Sequence, residues 1–162
     1  MASTFEVLLL AQLNFLQYPP LAVADAPSTA TTLGNNGWTS LTLDVTVTDN
    51  YGMHSNITNN TRLTAVVAGK YLVSGGGAAV ANASGSRGAR IAKNGTAVQG
   101  SQQMISAFAA IPAAVCAVPL EIPMAVGDYV EVQMFQNSGG SLNTSAGTDG
   151  SGPMLSAKWV SF

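Results

Sequence analysis

The stretch Ala117–Phe135, AVPLEIPMAVGDYVEVQMF, decides the fold of this chain. Two apolar runs lie on either side of a Gly127-Asp128 turn, a dipeptide that marks a break between regular elements. In the second run, Tyr129–Gln136, polar and apolar side chains alternate. A period of two is typical of an antiparallel strand with one buried face, so the stretch predicts a strand, a turn and a second strand.

Short apolar runs separated by Gly, Asn, Ser and Pro continue this pattern from Leu21 to the end of the chain. Asn94-Gly95 between two of these runs is a typical two-residue hairpin turn. The candidate strands are Leu21–Ala26, Ser40–Thr48, Arg62–Val67, Lys70–Ala81, Ala89–Lys93, Gln102–Phe108, Ala113–Ile122, Tyr129–Gln136 and Pro153–Phe162. Their near-regular spacing predicts an all-β fold, a jelly-roll β-sandwich, rather than alternating strands and helices.

Charged side chains are scarce: they make up 9% of the residues, against about 25% in ordinary globular proteins. The formal net charge is −2, so no basic surface is expected and a nucleic-acid partner is excluded. A chain with 47% apolar residues and so few charges is unusual for a free monomer, because exposed apolar patches promote association. The composition therefore favours an oligomer.

Residues 1–27 are interpreted as an anchor or docking segment that precedes a sandwich domain over residues 28–162. Ser3 and Glu6 fit a capping box, and Pro19-Pro20 ends the helical pattern. Five apolar residues at helical spacing would form a stripe that docks on a particle: Phe5, Leu8, Leu9, Leu13 and Leu16. Such a stripe needs a partner surface.

The alternative for this segment is a secretory signal peptide cleaved after residues 24–26. Ala22-Val23-Ala24 looks like a cleavage site, but a positive n-region is missing and Gln12 and Asn14 interrupt the apolar core. These departures favour a helix or an extended anchor. No run of 18 apolar residues exists in the sequence, so no membrane-spanning helix and no membrane partner are expected.

Small residues dominate two runs, Ser74–Ala79 and Ala109–Ala117. Ser74–Ala79 continues a strand through three glycines, although glycine weakens strands. One interpretation is a flexible loop followed by a bulge. The other is that a second backbone approaches closely, as it would where three copies of the chain meet at a three-fold axis.

Five segments, in order, resemble the globular head of complement 1q. Leu41–Asp44 stands where that family has its early Phe-Asp strand, and Gly69–Val73 resembles its Gly-x-Tyr-x-Phe strand. Ala92–Gly95 resembles the following hairpin. Leu120–Val132 resembles the Leu-x-x-Gly-Asp-x-Val motif, and Met154–Val160 resembles the closing strand. The resemblance extends from residue 40 to the end.

This resemblance implies a jelly roll that assembles as a compact homotrimer, as in the tumour-necrosis-factor superfamily. We expect the trimer interface to be formed by residues on neighbouring strands: Tyr71, Val73, Gly75, Gly77, Ala79, Val115, Ala117 and Trp159. Two departures from the family pattern are Val73, where an aromatic residue is usual, and the absence of a collagen-like Gly-X-Y repeat. A low-charge jelly roll with a short N-terminal segment is also similar to bacteriophage virion proteins of this fold.

No catalytic, cofactor-binding or metal site is expected. His54 is the only histidine, and no G-x-S-x-G nucleophile elbow occurs. The carboxylates are scattered along the chain without a D-x-[DN]-x-[DN]-G calcium loop. Cys116 is alone, which excludes an intrachain disulfide and a cysteine-based zinc site.

The sequence thus predicts a non-enzymatic structural protein on the surface of a bacteriophage virion. It would be a homotrimer that residues 1–27 attach to a major capsid or tail protein, as a capsid decoration or head fibre. One alternative is a tail fibre or receptor-binding protein that contacts a host glycan or protein. Another is a secreted, extracellular complement-like module that binds glycan or protein through loops 49–61 and 137–152.

Overall fold

The computed structural model describes residues 13, 15–146 and 150–162. Leu13 and residues 15–17 are helical. The strands are β1 (Leu21–Asp25), β2 (Thr32–Leu33), β3 (Gly37–Ser40), β4 (Val45–Asp49), β5 (Arg62–Thr64), β6 (Gly69–Ala79), β7 (Ser86–Lys93), β8 (Thr96–Ala97), β9 (Gln103–Ser106), β10 (Ala113–Cys116), β11 (Leu120–Met124), β12 (Tyr129–Gln136), β13 (Leu142–Asn143) and β14 (Met154–Ser161). Among the described residues, no helix has the length and apolar character needed to cross a membrane.

Two antiparallel sheets form a sandwich. The first sheet has the order β10-β6-β14-β1-β4, with β11 also paired to β6. The second has the order β3-β12-β7-β8, with β5 paired to β12 and β9 paired to β7. A short β13-β2 ladder forms a separate small sheet. The predicted all-β sandwich is confirmed.

The core lies between the two sheets and follows the alternation seen in the sequence. Val130, Val132 and Met134 of β12 are fully buried, and they face Tyr71 and Val73 of β6 in the same core cluster. The side chains on the other face of β12 are also mostly buried, whereas the alternation in the sequence predicts that they are exposed. Its polar side chains are largely covered by neighbours on the second sheet, as described below.

The Gly127-Asp128 turn connects strands of different sheets. It joins β11, which pairs with β6, to β12, which pairs with β7. By contrast, Asn94-Gly95 closes a true hairpin, because Lys93 is directly opposite Thr96. Both turn residues have positive φ, 50° and 78°, as a type I′ turn requires. The predicted hairpin is therefore confirmed.

Two of the predicted strands divide where the chain changes direction. The segment predicted as one strand, Ser40–Thr48, contains the last residue of β3, in the second sheet, and most of β4, in the first. Leu41 and Leu43 lie between the two strands and are buried. The segment predicted as Ala113–Ile122 splits into β10 and β11. Pro119 lies in the gap, where it cannot donate to a ladder because it has no N–H.

The boundary predicted between residues 27 and 28 needs a correction. Strand β1 lies inside the first sheet, between β14 and β4, and its Ala22 and Ala24 side chains are fully buried. Leu21–Asp25 is therefore part of the sandwich. Only the residues before Pro20 remain as a candidate anchor.

Candidate functional site

The side chains predicted to form a trimer interface lie in the core of a single chain. Tyr71, Val73 and Ala79 are fully buried, and Val115, Ala117 and Trp159 are at most 5% exposed. Gly75 and Gly77 share their side of β6, since alternate residues of a strand face one way. This corrects the assignment: a side chain that points between the two sheets cannot reach a neighbouring subunit.

The glycine run of β6 is explained by backbone approach within the chain. Gly76 is directly opposite Cys116 of β10 and Met154 of β14. A Cβ added at Gly76 would lie 2.6 Å from the carbonyl oxygen of Val115 and 2.8 Å from the Cα of Cys116. Such a distance is too short for any side chain. Of the two interpretations, close approach is the right one, but the approaching backbone is a neighbouring strand of the same chain.

The opposite face of the first sheet is hereafter called the outer face. It is formed by even-numbered residues on β6, β10 and β14 and by odd-numbered residues on β1 and β11. Three of its apolar side chains, on β6 and β14, are between 38% and 44% exposed: Leu72, Met154 and Val160. Ser74 and Ser156 face each other at its centre. Leu72 has Glu121 on one side and Lys158 on the other. The result is an apolar surface with a charged row across one end.

Small residues make the outer face concave around Met154. Three depressions border that side chain, with volumes of about 310, 100 and 480 Å³. The smallest is lined by Gly76, Ala114 and the exposed thiol of Cys116. Asp25 lines the first, and its Oδ1 is buried without a hydrogen-bond partner among the described residues. The glycine run and Cys116 stand out in the sequence, but Leu72 and Met154 do not, because leucine and methionine carry no distinctive motif.

The N-terminal segment meets the sandwich at an aromatic cluster. Phe15 packs edge-on against Trp159, with ring centroids 4.6 Å apart, and stacks on Phe162 at 5.8 Å. Of the predicted docking residues, Leu13 and Leu16 are 53% and 66% exposed. Phe5, Leu8 and Leu9 lie outside the described residues. The role of this stripe in docking stays a prediction.

Two arginine–aromatic stacks cover the outer side of the second sheet. The guanidinium of Arg62 lies 4.3 Å from the centre of the Tyr129 ring, and that of Arg90 lies 4.2 Å from the centre of Trp38. Burial lowers the pKa of Arg90. Glu131, on the adjacent strand, is 9% exposed. These stacks explain why both faces of β12 are covered.

The surroundings of His54 do not form a nucleophile–base pair. Its Nδ1 lies 2.8 Å from the hydroxyl of Thr46, but that hydroxyl donates its proton to Asn56 Oδ1 over 2.7 Å. Asp49 accepts a bond from the backbone amide of His54 and not from its ring. Within residues 13, 15–146 and 150–162, no three His, Cys, Asp or Glu side chains cluster as metal ligands would.

Comparison with known proteins finds the same fold at low sequence identity. Murine APRIL, in a crystal structure at pH 8.5, matches with a TM-score of 0.59 and 14% identity over 87% of this chain and 98% of its own. The globular domain of zebrafish complement 1qA matches with a TM-score of 0.57 and 10% identity over 87% and 97%. Eiger, a tumour necrosis factor from S. frugiperda, matches with a TM-score of 0.57 and 9% identity over 88% and 93%.

No protein-family model matches the chain, and no curated protein matches its sequence. Because the sequence identities are so low, these structural matches establish the fold and no more. It is the jelly roll of complement-1q heads and tumour necrosis factors, and the resemblance seen in the sequence is confirmed at that level.

Proposed function

We propose that this chain, a complement-1q/tumour-necrosis-factor-like jelly roll, is a non-enzymatic structural protein of a bacteriophage virion. It forms a homotrimer, and its N-terminal segment attaches it to the particle surface as a capsid decoration or head fibre. The outer face of the first sheet is the observation that carries this proposal, because it offers a concave apolar surface for self-association.

Burial of the outer face supplies the driving force for assembly. Leu72, Met154 and Val160 each leave more than a third of their surface in water. Covering apolar surface stabilises a contact by about 25 cal/mol per Å². The depressions around Met154 give room for side chains of a second copy. With few charges on the chain, little electrostatic repulsion opposes this contact.

The helical residues before the sandwich support attachment through the N-terminal segment. Phe15 fixes this helix on Trp159, while Leu13 and Leu16 point away from the aromatic cluster and remain exposed. An apolar helix side that no described residue of its own chain covers is suited to a partner surface. We place a capsid or tail protein of the particle on that side.

The buried position of β1 bears on the secreted alternative. Cleavage after residues 24–26 would remove a strand that pairs on both sides in the first sheet. A virion protein would keep β1, whereas cleavage of a signal peptide at this position would remove it. A tail fibre that contacts a host receptor remains the second candidate, because it would use the same fold and the same segment.

Native mass spectrometry tests the self-association with a matched pair of methionines. Met154 on the outer face is 39% exposed, and Met104 on the second sheet is 42% exposed. We expect the wild type and Met104→Arg to have the mass of three 16.5 kDa chains. Met154→Arg should give single chains. A monomeric wild type, or dissociation by Met104→Arg alone, would refute the proposed interface.

The particle assignment is tested on purified virions of the phage whose genome encodes the chain. Mass spectrometry of the particles should detect the chain with its first residues retained. Immunogold electron microscopy should place it at the head, and labelling at the tail tip would favour the receptor-binding alternative. Its absence from the particles would overturn the virion proposal. Leu13→Asp together with Leu16→Asp should reduce incorporation without changing the trimer.

A further inference from the structure

Residues 108–112, Phe-Ala-Ala-Ile-Pro, form a loop in which every residue is apolar and exposed. Phe108 is 46% exposed and Ile111 is 59% exposed. Single exposed apolar side chains are common on protein surfaces, but a contiguous run of them indicates an interaction site. Neither the attachment surface nor the assembly surface described above includes this loop, hereafter the apolar loop. It therefore needs a partner of its own.

The apolar loop is held in a fixed shape by the neighbouring loop between β6 and β7. The Phe108 carbonyl accepts a bond from the Asn82 amide at 3.0 Å. Arg87, which is fully buried, in turn donates to the carbonyls of Asn82, at 3.3 Å, and Ser84, at 3.0 Å. A loop whose shape is fixed before binding loses little conformational entropy on association. The exposed run is therefore a preformed binding element.

The apolar loop leads directly into β10, the edge strand of the first sheet. Ala113 and Val115 of this strand are buried, and Ala114 and Cys116 are exposed on the outer face. An edge strand presents unpaired backbone groups, which proteins usually cover. A molecule that covers this edge would contact the apolar loop and the outer face together.

Two depressions of the outer face have the lining that an apolar side chain needs. They share Cys116 and Met154, and their volumes are about 100 and 480 Å³. An apolar cavity of about 150 Å³ holds a benzene-sized group, so the larger depression has room for more than one apolar side chain. Among the described residues, no charged one lines either depression, and residues 107–112 carry no charge. Contact between the two surfaces therefore removes no charge from water.

A homotrimer needs two different surfaces on each chain. A three-fold ring is closed by a heterologous contact, in which one surface of a chain meets a different surface of the next chain. A surface that meets only its own copy gives a two-fold dimer instead. The outer face supplies a concave apolar surface, and the apolar loop supplies an exposed one that can enter it.

We propose that the apolar loop of one chain packs into the depressions beside Met154 of the next chain. Phe108 and Ile111 are the side chains that enter, and Cys116 and Met154 line the site that receives them. Three such contacts close the ring. This inference rests on the proposed homotrimer, to which it adds the second surface, and it does not depend on attachment to a virion.

Ile111→Cys tests the contact through the native thiol of Cys116, which is exposed in the receiving site. Oxidation of the full chain with diamide should give covalent dimers and trimers on non-reducing gels, and no larger products. A disulfide within one chain would leave a single chain on the gel, so covalent oligomers report contact between chains. Adding Cys116→Ser to this variant should abolish them. Products that end at the dimer would overturn the ring.

Val126→Cys is the matched control for cross-linking. Val126 is also an exposed apolar residue, at 67%, and it lies beyond the opposite end of the β10–β11 edge. Native mass spectrometry before oxidation should find both cysteine variants trimeric. A trimeric Ile111→Cys that cross-links no more than Val126→Cys would overturn this contact and leave the homotrimer standing. A monomeric wild type would refute the homotrimer itself, and this contact with it.

Ile111→Arg measures how strongly the contact stabilises the trimer. The substitution places an unpaired charge in the apolar site, so the concentration at which trimers dissociate should rise about tenfold or more. Val126→Arg should leave that concentration unchanged. Because Ile111 is exposed in the single chain, circular dichroism should show an intact fold for both variants. Equal dissociation of Ile111→Arg and Val126→Arg would refute the contact.

Discussion

The side-chain amide of Asn94 donates to the carboxylate of Asp128 over 2.7 Å, and this bond joins two turns that lie 34 residues apart. Asn94 Oδ1 also accepts from the backbone amide of Tyr129 at 2.9 Å. Asp128 Oδ2 accepts from the amide of Ala125 and lies 2.8 Å from the ammonium of Lys93. The Asn94-Gly95 and Gly127-Asp128 motifs thus form one structural unit. Asp128 has a structural role there, as the turn sequence indicates.

This unit predicts a pH dependence of stability. Bonds from Lys93, Asn94 and the Ala125 amide hold the pKa of Asp128 well below its usual range. Because the folded-state pKa is depressed, the stabilisation is fully present above the unfolded pKa of about 3.9. It is lost as the pH falls below that value toward the folded pKa. Thermal melting should therefore show a smaller loss of stability on acidification in Asp128→Asn than in the wild type.

Glu121→Gln is the control for that experiment. Glu121 is an exposed carboxylate on β11, and its removal should leave the acid dependence of the melting temperature as in the wild type. An acid dependence that is the same in Asp128→Asn as in the wild type would contradict the role assigned to Asp128.

The aromatic cluster predicts different effects of two neighbouring residues in the N-terminal helix. Phe15→Ala removes the ring that packs on Trp159 and Phe162 and should lower the free energy of unfolding by about 1–3 kcal/mol. Leu16→Ala, at a residue that is 66% exposed, should change it by less than about 0.5 kcal/mol. Urea unfolding followed by tryptophan fluorescence measures both. Equal effects would mean that the helix does not pack as described.

The close approach of β10 to β6 predicts that Gly76 tolerates no side chain. Gly76→Ala places a Cβ against the Val115 carbonyl and should destabilise the chain by about 1–3 kcal/mol. Gly34→Ala is the control, since nothing lies within 4 Å of a Cβ at that position. Calorimetry of the two variants compares them directly. A stable Gly76→Ala variant would show that the two strands can separate there.

The position of β1 predicts how far the N-terminus can be shortened. A chain that begins at residue 13 keeps Phe15 and the ladder of β1 with β14 and β4, so it should unfold cooperatively near the wild-type temperature. A chain that begins at residue 27 lacks β1 and should lose cooperative unfolding. Circular dichroism melts distinguish the two. Cooperative unfolding of the shorter chain would restore the signal-peptide alternative.

Several local features of the chain could be predicted without coordinates. The alternation in Tyr129–Gln136, the hairpin at Asn94-Gly95 and most strand positions are local properties, because a period of two and a positive φ are encoded within a few residues. The division of Ser40–Thr48 between two sheets could not be predicted. An apolar run that crosses the core has the same composition as one continuous strand.

The candidate sites depend on distant contacts. His54 and Arg62 carry no motif, and they line one depression only because the loop after β4 lies against the start of β5. Likewise, no pattern marks Met154 as part of the concave outer face, since its neighbours there come from β6 and β10.

The sequence alone established that Tyr71, Val73, Gly75, Gly77 and Ala79 share one side of a strand, because alternate residues of any strand face the same way. It did not establish what that side meets. A core and a subunit interface both select apolar and small residues, so the two environments look alike in one sequence. Packing of the second sheet against these residues placed them in the core and left Leu72 and Met154 at the surface.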